Sequence, residues 1–383
     1  MKKITSIFGT ILAVLLVALA CDTQDLNEFS DDLILKKGKP VKDAGSDYDL
    51  ADTDTPLQVY GVWHAGNDYC TWGQVRDTAG EFDDANNWII DRGDGEPSVN
   101  LVVLSFVNPL DLLHGTSKWD TLGGIPVGMN QEVVDYFKNA DIRVMLSIGG
   151  ITYTDDWNAA LAENASQLGE NAAMVAQKLG VGIEIDYEEN TDPNIDGLQA
   201  FINAYRGVHP YDANGENHAA RLTIDLAAGD RWLIALCQYA TENWLTTDDP
   251  VLDYANAMVP ARQPSLSSAM DNWYEHVVGK PQYVPAILPL APCKFTGGLY
   301  ITDRKKIAEC VDFNSSLQYQ TRDFVRRVNS QIEGLSSGML GYMFWAAECP
   351  GTRIECATDC TLGVGAGASE FDIPIPMPAL REN

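Results

Sequence analysis

Glu184, Asp186 and Glu188 occupy alternate positions in the run Val181-Gly182-Ile183-Glu184-Ile185-Asp186-Tyr187-Glu188-Glu189. In an extended chain this spacing puts the three carboxylates on one face, about 7 Å apart, with Ile183 and Ile185 on the other. If the acidic face lies inside the protein it is expensive. A buried charge loses several kcal/mol of solvation unless it is paired or neutralised. Carboxylates packed this closely share protons and titrate as a unit. Stability gives no reason for such a run, whereas acid–base chemistry does. The apolar alternation around it argues against the plainer reading, a polar strand facing solvent.

The elements that must carry this strand repeat along the chain. Short β-branched runs occur at Gln58–His64, Val99–Val107, Ile142–Ile148, Gly182–Tyr187, Arg221–Leu226, Tyr254–Val259, Tyr283–Leu288 and Met339–Trp345. Amphipathic stretches separate them, at Glu132–Ala140, Trp157–Leu179, Gly197–Val208, Arg231–Trp244 and Leu317–Ile332. Strand, helix, strand, repeated, requires parallel strands with right-handed crossovers. Eight such strands predict an α/β fold, a closed (β/α)₈ TIM barrel in one catalytic domain over residues 56–350. An open doubly wound sheet is the alternative. Its glycine-rich phosphate turn is missing, since the first strand reads Gly61-Val62-Trp63-His64. In a barrel, Ile183 and Ile185 pack beneath the helices while the carboxylates climb through the lumen toward the carboxyl-terminal rim.

Three segments together resemble glycoside hydrolase family 18. GIEIDYE (Gly182–Glu188) is similar to that family's D-G-x-D-x-D-x-E signature, Leu146-Ser147-Ile148-Gly149-Gly150 to its S-x-G-G, and the ending Phe344-Trp345 to its final-strand tryptophan. The resemblance implies a retaining mechanism assisted by the substrate's own acetamido group. Glu188 then corresponds to the general acid and Asp186 to the residue that holds the acetamido group. Glu184 corresponds to the partner sharing a proton with Asp186, and Trp345 to the floor of the sugar subsite. The implied activity is chitinase-like cleavage of β-1,4-linked N-acetylglucosamine, with no metal or organic cofactor. The same motif serves endo-β-N-acetylglucosaminidases, which cut the chitobiose core of N-glycans. Non-catalytic glycan-binding barrels of this family commonly lose the final Glu, retained here as Glu188. The chain departs from the pattern at three places. Val181 replaces the first Asp, Glu184 is one methylene longer than the second, and Met258-Val259-Pro260-Ala261-Arg262-Gln263 stands where the family often has Met-x-Tyr-Asp. Gln263 or Arg262 is the candidate to replace the missing Tyr toward the substrate. Trp63, Trp72 and Trp119 are candidates to line a glycan groove. The segment before the last strand, from about Pro289 to Met339, is short, which predicts an open, shallow cleft and internal (endo) cleavage.

The formal net charge is −28. Such a surface repels phosphate backbones and anionic lipid, which argues against nucleic-acid binding and against electrostatic membrane docking. Lys2, Lys3 and the apolar run Ile11–Ala20 read as a signal peptide over residues 1–20. Ala18-Leu19-Ala20-Cys21 resembles a lipoprotein cleavage box, which implies a lipidated Cys21 and an extracytoplasmic, envelope-anchored monomer; plain secretion is the alternative. Residues 21–55 read as an acidic flexible tether and residues 351–383 as a Gly/Pro-rich flexible tail. Cys293 with Cys310, and the group Cys349, Cys356 and Cys360, are candidates for disulfides. Cys237 reads as a buried thiol in a helix. The signatures GxSxG, HExxH and GxxxxGK[ST] are absent, and the five histidines are scattered.

Overall fold

The computed structural model describes residues 48–65, 78–226, 233–258, 266–300, 315–345, 347 and 372–382. The first strands are β1 (Val59–His64) and β2 (Leu101–Val107), followed by a small hairpin of β3 (Thr121–Leu122) and β4 (Ile125–Pro126). Then come β5 (Arg143–Gly149), β6 (Gly182–Asp186), β7 (Leu222–Leu226), β8 (Ala255–Ala257), β9 (Phe295–Tyr300) and β10 (Gly341–Trp345). Leaving out the hairpin, these strands pair in chain order, all parallel, and β10 returns to β1 to close the barrel. The (β/α)₈ barrel expected from the strand–helix rhythm is therefore the fold.

Helices α1 (Ala79–Asn86), α2 (Pro109–His114), α3 (Gln131–Lys138), α4 (Thr154–Leu179), α5 (Ile195–Val208), α6 (Ile234–Asn243), α7 (Leu266–Val278) and α8 (Ser315–Arg327) lie between the strands. Their starts follow local chemistry. Thr78 and Glu81 form a capping box on α1, and Asn130 and Asn194 cap the first turns of α3 and α5 through their side-chain oxygens. Gly180 ends α4 in the left-handed conformation, turning the chain directly into β6.

Strand alternation sorts the side chains. Val144, Leu146, Ile148, Ile183 and Ile185 join the core beneath the helices, whereas Val59, Leu101, Val103 and Met145 pack together as a second cluster with Trp63 and Tyr254.

Two expectations need correction. The run at Tyr283–Leu288 is not a barrel strand; that place is taken by β9, Phe295–Tyr300. Pro285 has no N–H for a ladder, and Val284 stands 97% exposed, so this run has neither the pairing nor the burial of a central strand. The connection before the last strand therefore begins later, after Tyr300. The second correction concerns the tail. Residues 372–382 pack against the barrel: Ile373 and Met377 are buried, and Gln58 Nε2 donates to the Ala379 carbonyl at 2.6 Å. Cys237 is buried in α6, and buried Cys293 donates its thiol to the Glu382 carbonyl at 3.5 Å. Cys70, Cys310, Cys349, Cys356 and Cys360 lie outside the described residues. No helix among the described residues is long and apolar enough to cross a membrane.

Candidate active site

The carboxyl end of β6 delivers the acidic run into the barrel as alternation requires. Glu184 pairs in register with Ser147 on β5 and Thr223 on β7, and Asp186 pairs with Gly149. Glu184 is fully buried and Asp186 is buried, while Glu188, two residues past the strand end, is half-buried. Val181, in place of the motif's first Asp, is buried in the apolar core beneath the helices.

A hydrogen-bond network holds Glu184. Trp63 Nε1 donates to its Oε1 at 2.9 Å, and Asn256 Nδ2 donates to its Oε2 at 2.7 Å. The same Asn256 nitrogen donates to Asp225 Oδ1 at 3.1 Å, and Thr296 Oγ1 donates to Asn256 Oδ1 at 2.5 Å. An amide nitrogen has two protons, and here each serves one carboxyl group, while the threonine hydroxyl fixes which way the amide faces. Asp225 on β7, Asn256 on β8 and Thr296 on β9 are register partners, so three neighbouring strands supply one level of the site.

Burial sets the electrostatics. It pushes Glu184 up to about 7, against the opposing pull of the Trp63 and Asn256 hydrogen bonds. Asp225 is held well above the carboxylate range by burial, then by the charges of Glu184 and Asp186. Asp186 is raised by burial, then by Glu188 and Glu184. Asp225 and Glu184 accept from the same Asn256 nitrogen and burial raises both, so the pair keeps a proton above the ordinary carboxylate range. The lumen thus stores protons at neutral pH, and one oxygen of Asp186, Oδ1, is buried with no partner in the protein.

The loop carrying Glu188 is braced on both sides. Tyr187 donates its hydroxyl proton to Asn158 Oδ1 and accepts from the Asn194 N–H at 3.0 Å. Asn158 Nδ2 donates to Glu189 Oε2 at 3.1 Å. Glu189 Oε1 accepts from the N–H groups of Thr191 and Asp192, and these contacts hold its carboxyl below the usual range. Glu188 therefore sits between two anchored neighbours. The S-x-G-G segment has its own role. Trp157 Nε1 donates to the carbonyls of Ile148 and Asp186, and Gly150 N–H donates to the Asp186 carbonyl at 3.0 Å. Gly149 lies against that junction with φ +120°.

Trp345 is half-buried at the end of β10, with its ring centroid 5.5 Å from that of Phe106 and the planes 31° apart. Phe106 also walls a cavity of about 170 Å³ together with Asn108, Lys118, Asp120 and Tyr153. Of the tryptophans expected in a groove, Trp119 is 74% exposed beside the β3–β4 hairpin, while Trp63 is buried on Glu184. Gln263, Arg262, Trp72 and Cys21 lie outside the described residues. No group of three or more His, Cys, Asp or Glu side chains among the described residues could hold a metal ion.

The structure also brings in residues that sequence reasoning missed. Asp225 ends an alternating row, Thr223 and Asp225 against Leu222, Ile224 and Leu226, which was a usable signal. Asn256 sits in a three-residue strand too short to show any period.

No family model and no curated protein matches the sequence. Solved structures do. A class V chitinase from Nicotiana tobaccum aligns with TM-score 0.50 and 13% identity over 82% of this chain and 99% of its own. The chain has that fold. A chitinase from Rhizomucor miehei aligns with TM-score 0.48 and 13% identity over 81% and 99% of the two chains. For a glycoside hydrolase family 18 chitinase from Pseudoalteromonas aurantia the values are 0.48, 12%, 75% and 93%.

Proposed function

We propose that the chain is a glycoside hydrolase that cleaves β-1,4-linked N-acetylglucosamine internally, in the manner of a chitinase. One observation carries this reading: Glu184, Asp186 and Glu188 climb β6 from a proton-storing lumen to a half-buried carboxyl at the strand's end. In this reading Glu188 protonates the leaving glycosidic oxygen. Asp186, whose buried Oδ1 has no partner in the protein, orients the acetamido group as its carbonyl attacks the anomeric carbon. The anomeric C–O bond breaks as the new C–O bond forms, and water later opens the cyclic intermediate with Glu188 acting as base. Glu184 and Asp225 keep a proton within reach of Asp186. Trp345 and Phe106 offer apolar faces to a sugar ring.

The test sets the wild-type protein and Glu188→Gln against chitin oligomers, a high-mannose glycoprotein and cello-oligosaccharides. Cleavage of chitin oligomers, a rate loss of roughly 10²–10⁴ in the variant with binding kept, and no cleavage of the glucose polymer are expected. Cleavage of the glycoprotein alone moves the substrate to N-glycans. Binding without turnover by the wild type would make the barrel a lectin and overturn the catalytic reading.

A further inference from the structure

The opposite end of the barrel carries an excess of buried positive charge. Arg143, the first residue of β5, is 6% exposed, and of its five N–H donors one bonds within the protein: Nη2 donates to the Gly215 carbonyl at 2.7 Å. Its Nε and Nη1 are buried with no protein partner. Arg221 lies beside it; a Cβ added at Gly215 would come 2.8 Å from Arg221 Nη2 and 3.7 Å from Arg143 Nη2. The carboxylate that answers this group, Asp253, is shared between Arg206 at 3.0 Å and Arg221 at 3.4 Å, which leaves Arg143 without an ion pair among the described residues. An unpaired guanidinium out of water costs several kcal/mol, so the fold needs a reason to keep it.

Arg143 lines a cavity of about 240 Å³ with Lys138, His218, Pro376 and Met377. Lys138 Nζ reaches the Leu179 and Gly180 carbonyls only at 3.5 and 3.4 Å. Asp141, the carboxylate on this wall, is exposed. We infer that this cavity is a binding site for a small oxyanion, gripped by Arg143 and Lys138, touched by His218 and roofed by Pro376 and Met377. The guanidinium fork fits two oxygens of one ligand, the ammonium adds a point charge, and a neutral imidazole can donate to a third oxygen. The volume is below the roughly 300 Å³ at which pockets begin to hold larger organic ligands, so the ligand is compact. Burial, followed by the charges of Arg143, Lys138 and Arg221, lowers His218 to about 4, so the imidazole is neutral beside these cations. The site lies at the amino-terminal end of the strands, away from the carboxylates, and so is independent of glycan hydrolysis.

The experiment follows the thermal unfolding midpoint of the full-length protein against inorganic phosphate, sulfate and acetate, each matched in ionic strength with chloride. A saturable rise, beyond that in chloride, is expected by linkage. Phosphate and sulfate acting alone identify a tetrahedral oxyanion, and acetate acting alone a carboxylate; either supports the site. Lys138→Met should weaken the apparent affinity at least fivefold and Arg143→Met should abolish the response. Lys138 is half-buried, so its variant keeps the test alive if Arg143→Met fails to fold. A midpoint that follows ionic strength only, or an undiminished saturable response in Lys138→Met, overturns the inference.

Discussion

At the scale of single residues, the fully buried Glu184 sets the terms. A lone carboxylate there would be neutral at most working pH values, but the Trp63 and Asn256 hydrogen bonds bring it back to about 7. Asp225 makes the network a coupled one, and its pH dependence has a definite sign. These carboxyls bind protons in the folded state that an unfolded chain has already released. Their contribution to stability is therefore complete below the ordinary carboxylate range near pH 4 and is lost as pH rises toward 7. Asp225→Asn keeps an acceptor for Asn256 while removing one titrating group. We expect the fall in unfolding free energy between pH 5 and 8 to become shallower by about 1 kcal/mol or more, roughly one pKa unit's worth, while turnover drops. Urea melts at both pH values give the answer, and parallel slopes for variant and wild type would refute the coupling. Glu184, Asp186 and Glu188 were legible because a period of two is visible along a single strand. Asn256 and Thr296 were not, because what joins them is register between strands far apart in sequence.

At the scale of elements, the junction of β5 with β6 shows why a glycine pair sits where it does. A Cβ on Gly149 would stand 1.9 Å from the Asp186 carbonyl oxygen and 2.3 Å from Trp157 Nε1. Nothing there can yield without moving the backbone that aims Asp186. Gly149→Ala should cost at least about 3 kcal/mol, from strain and lost burial together, and take activity with it. Gly93→Ala is the matched control: its φ is +102°, yet a Cβ there meets nothing within 4 Å, so the cost should be about 1–2 kcal/mol with activity intact. Equal midpoints for the two variants in guanidinium would rule out close approach as the reason for Gly149. The same physics hid β9 from the sequence. Its FTGGLY run reads as a weak strand because two glycines dilute the pattern, yet a Cβ at Gly297 would lie 2.5 Å from the Trp273 indole. Close packing against a helix demanded the residue that β propensity penalises. Tyr283–Leu288 had the better composition and lost, since composition cannot show that its Val284 side chain meets solvent.

At the scale of the whole molecule, the barrel is closed from below by its own C-terminal segment, where a Gly/Pro-rich composition had suggested a loose tail. Pro374, Pro376 and Pro378 carry no N–H, so this segment, which bends at Ile375 and Pro376, has few backbone donors to satisfy. Met377 enters the cluster formed by Val59, Leu101, Met145 and Leu340. Arg381 then ties the segment down, donating to the carbonyls of Pro56, Gly338 and Met339 at 2.8, 3.0 and 2.8 Å, while its own N–H bonds Gln58 Oε1 at 2.9 Å. These contacts join the ends of β1 and β10, the seam where the barrel closes. Removing residues 372–383 exposes Ile373 and Met377 partners worth about 1.5–3 kcal/mol each and leaves the seam carbonyls to water. The truncated chain should unfold at lower denaturant by an amount equal to about 3–5 kcal/mol. If the chain cleaves chitin oligomers as proposed, the truncated form's initial rate on them at 25 °C should stay within about twofold of the full chain, because the β6 carboxylates lie at the other end of the strands. An unchanged midpoint would mean that the segment merely rests on the barrel. A large loss of rate with the midpoint preserved would mean that it acts on the site and not on closure.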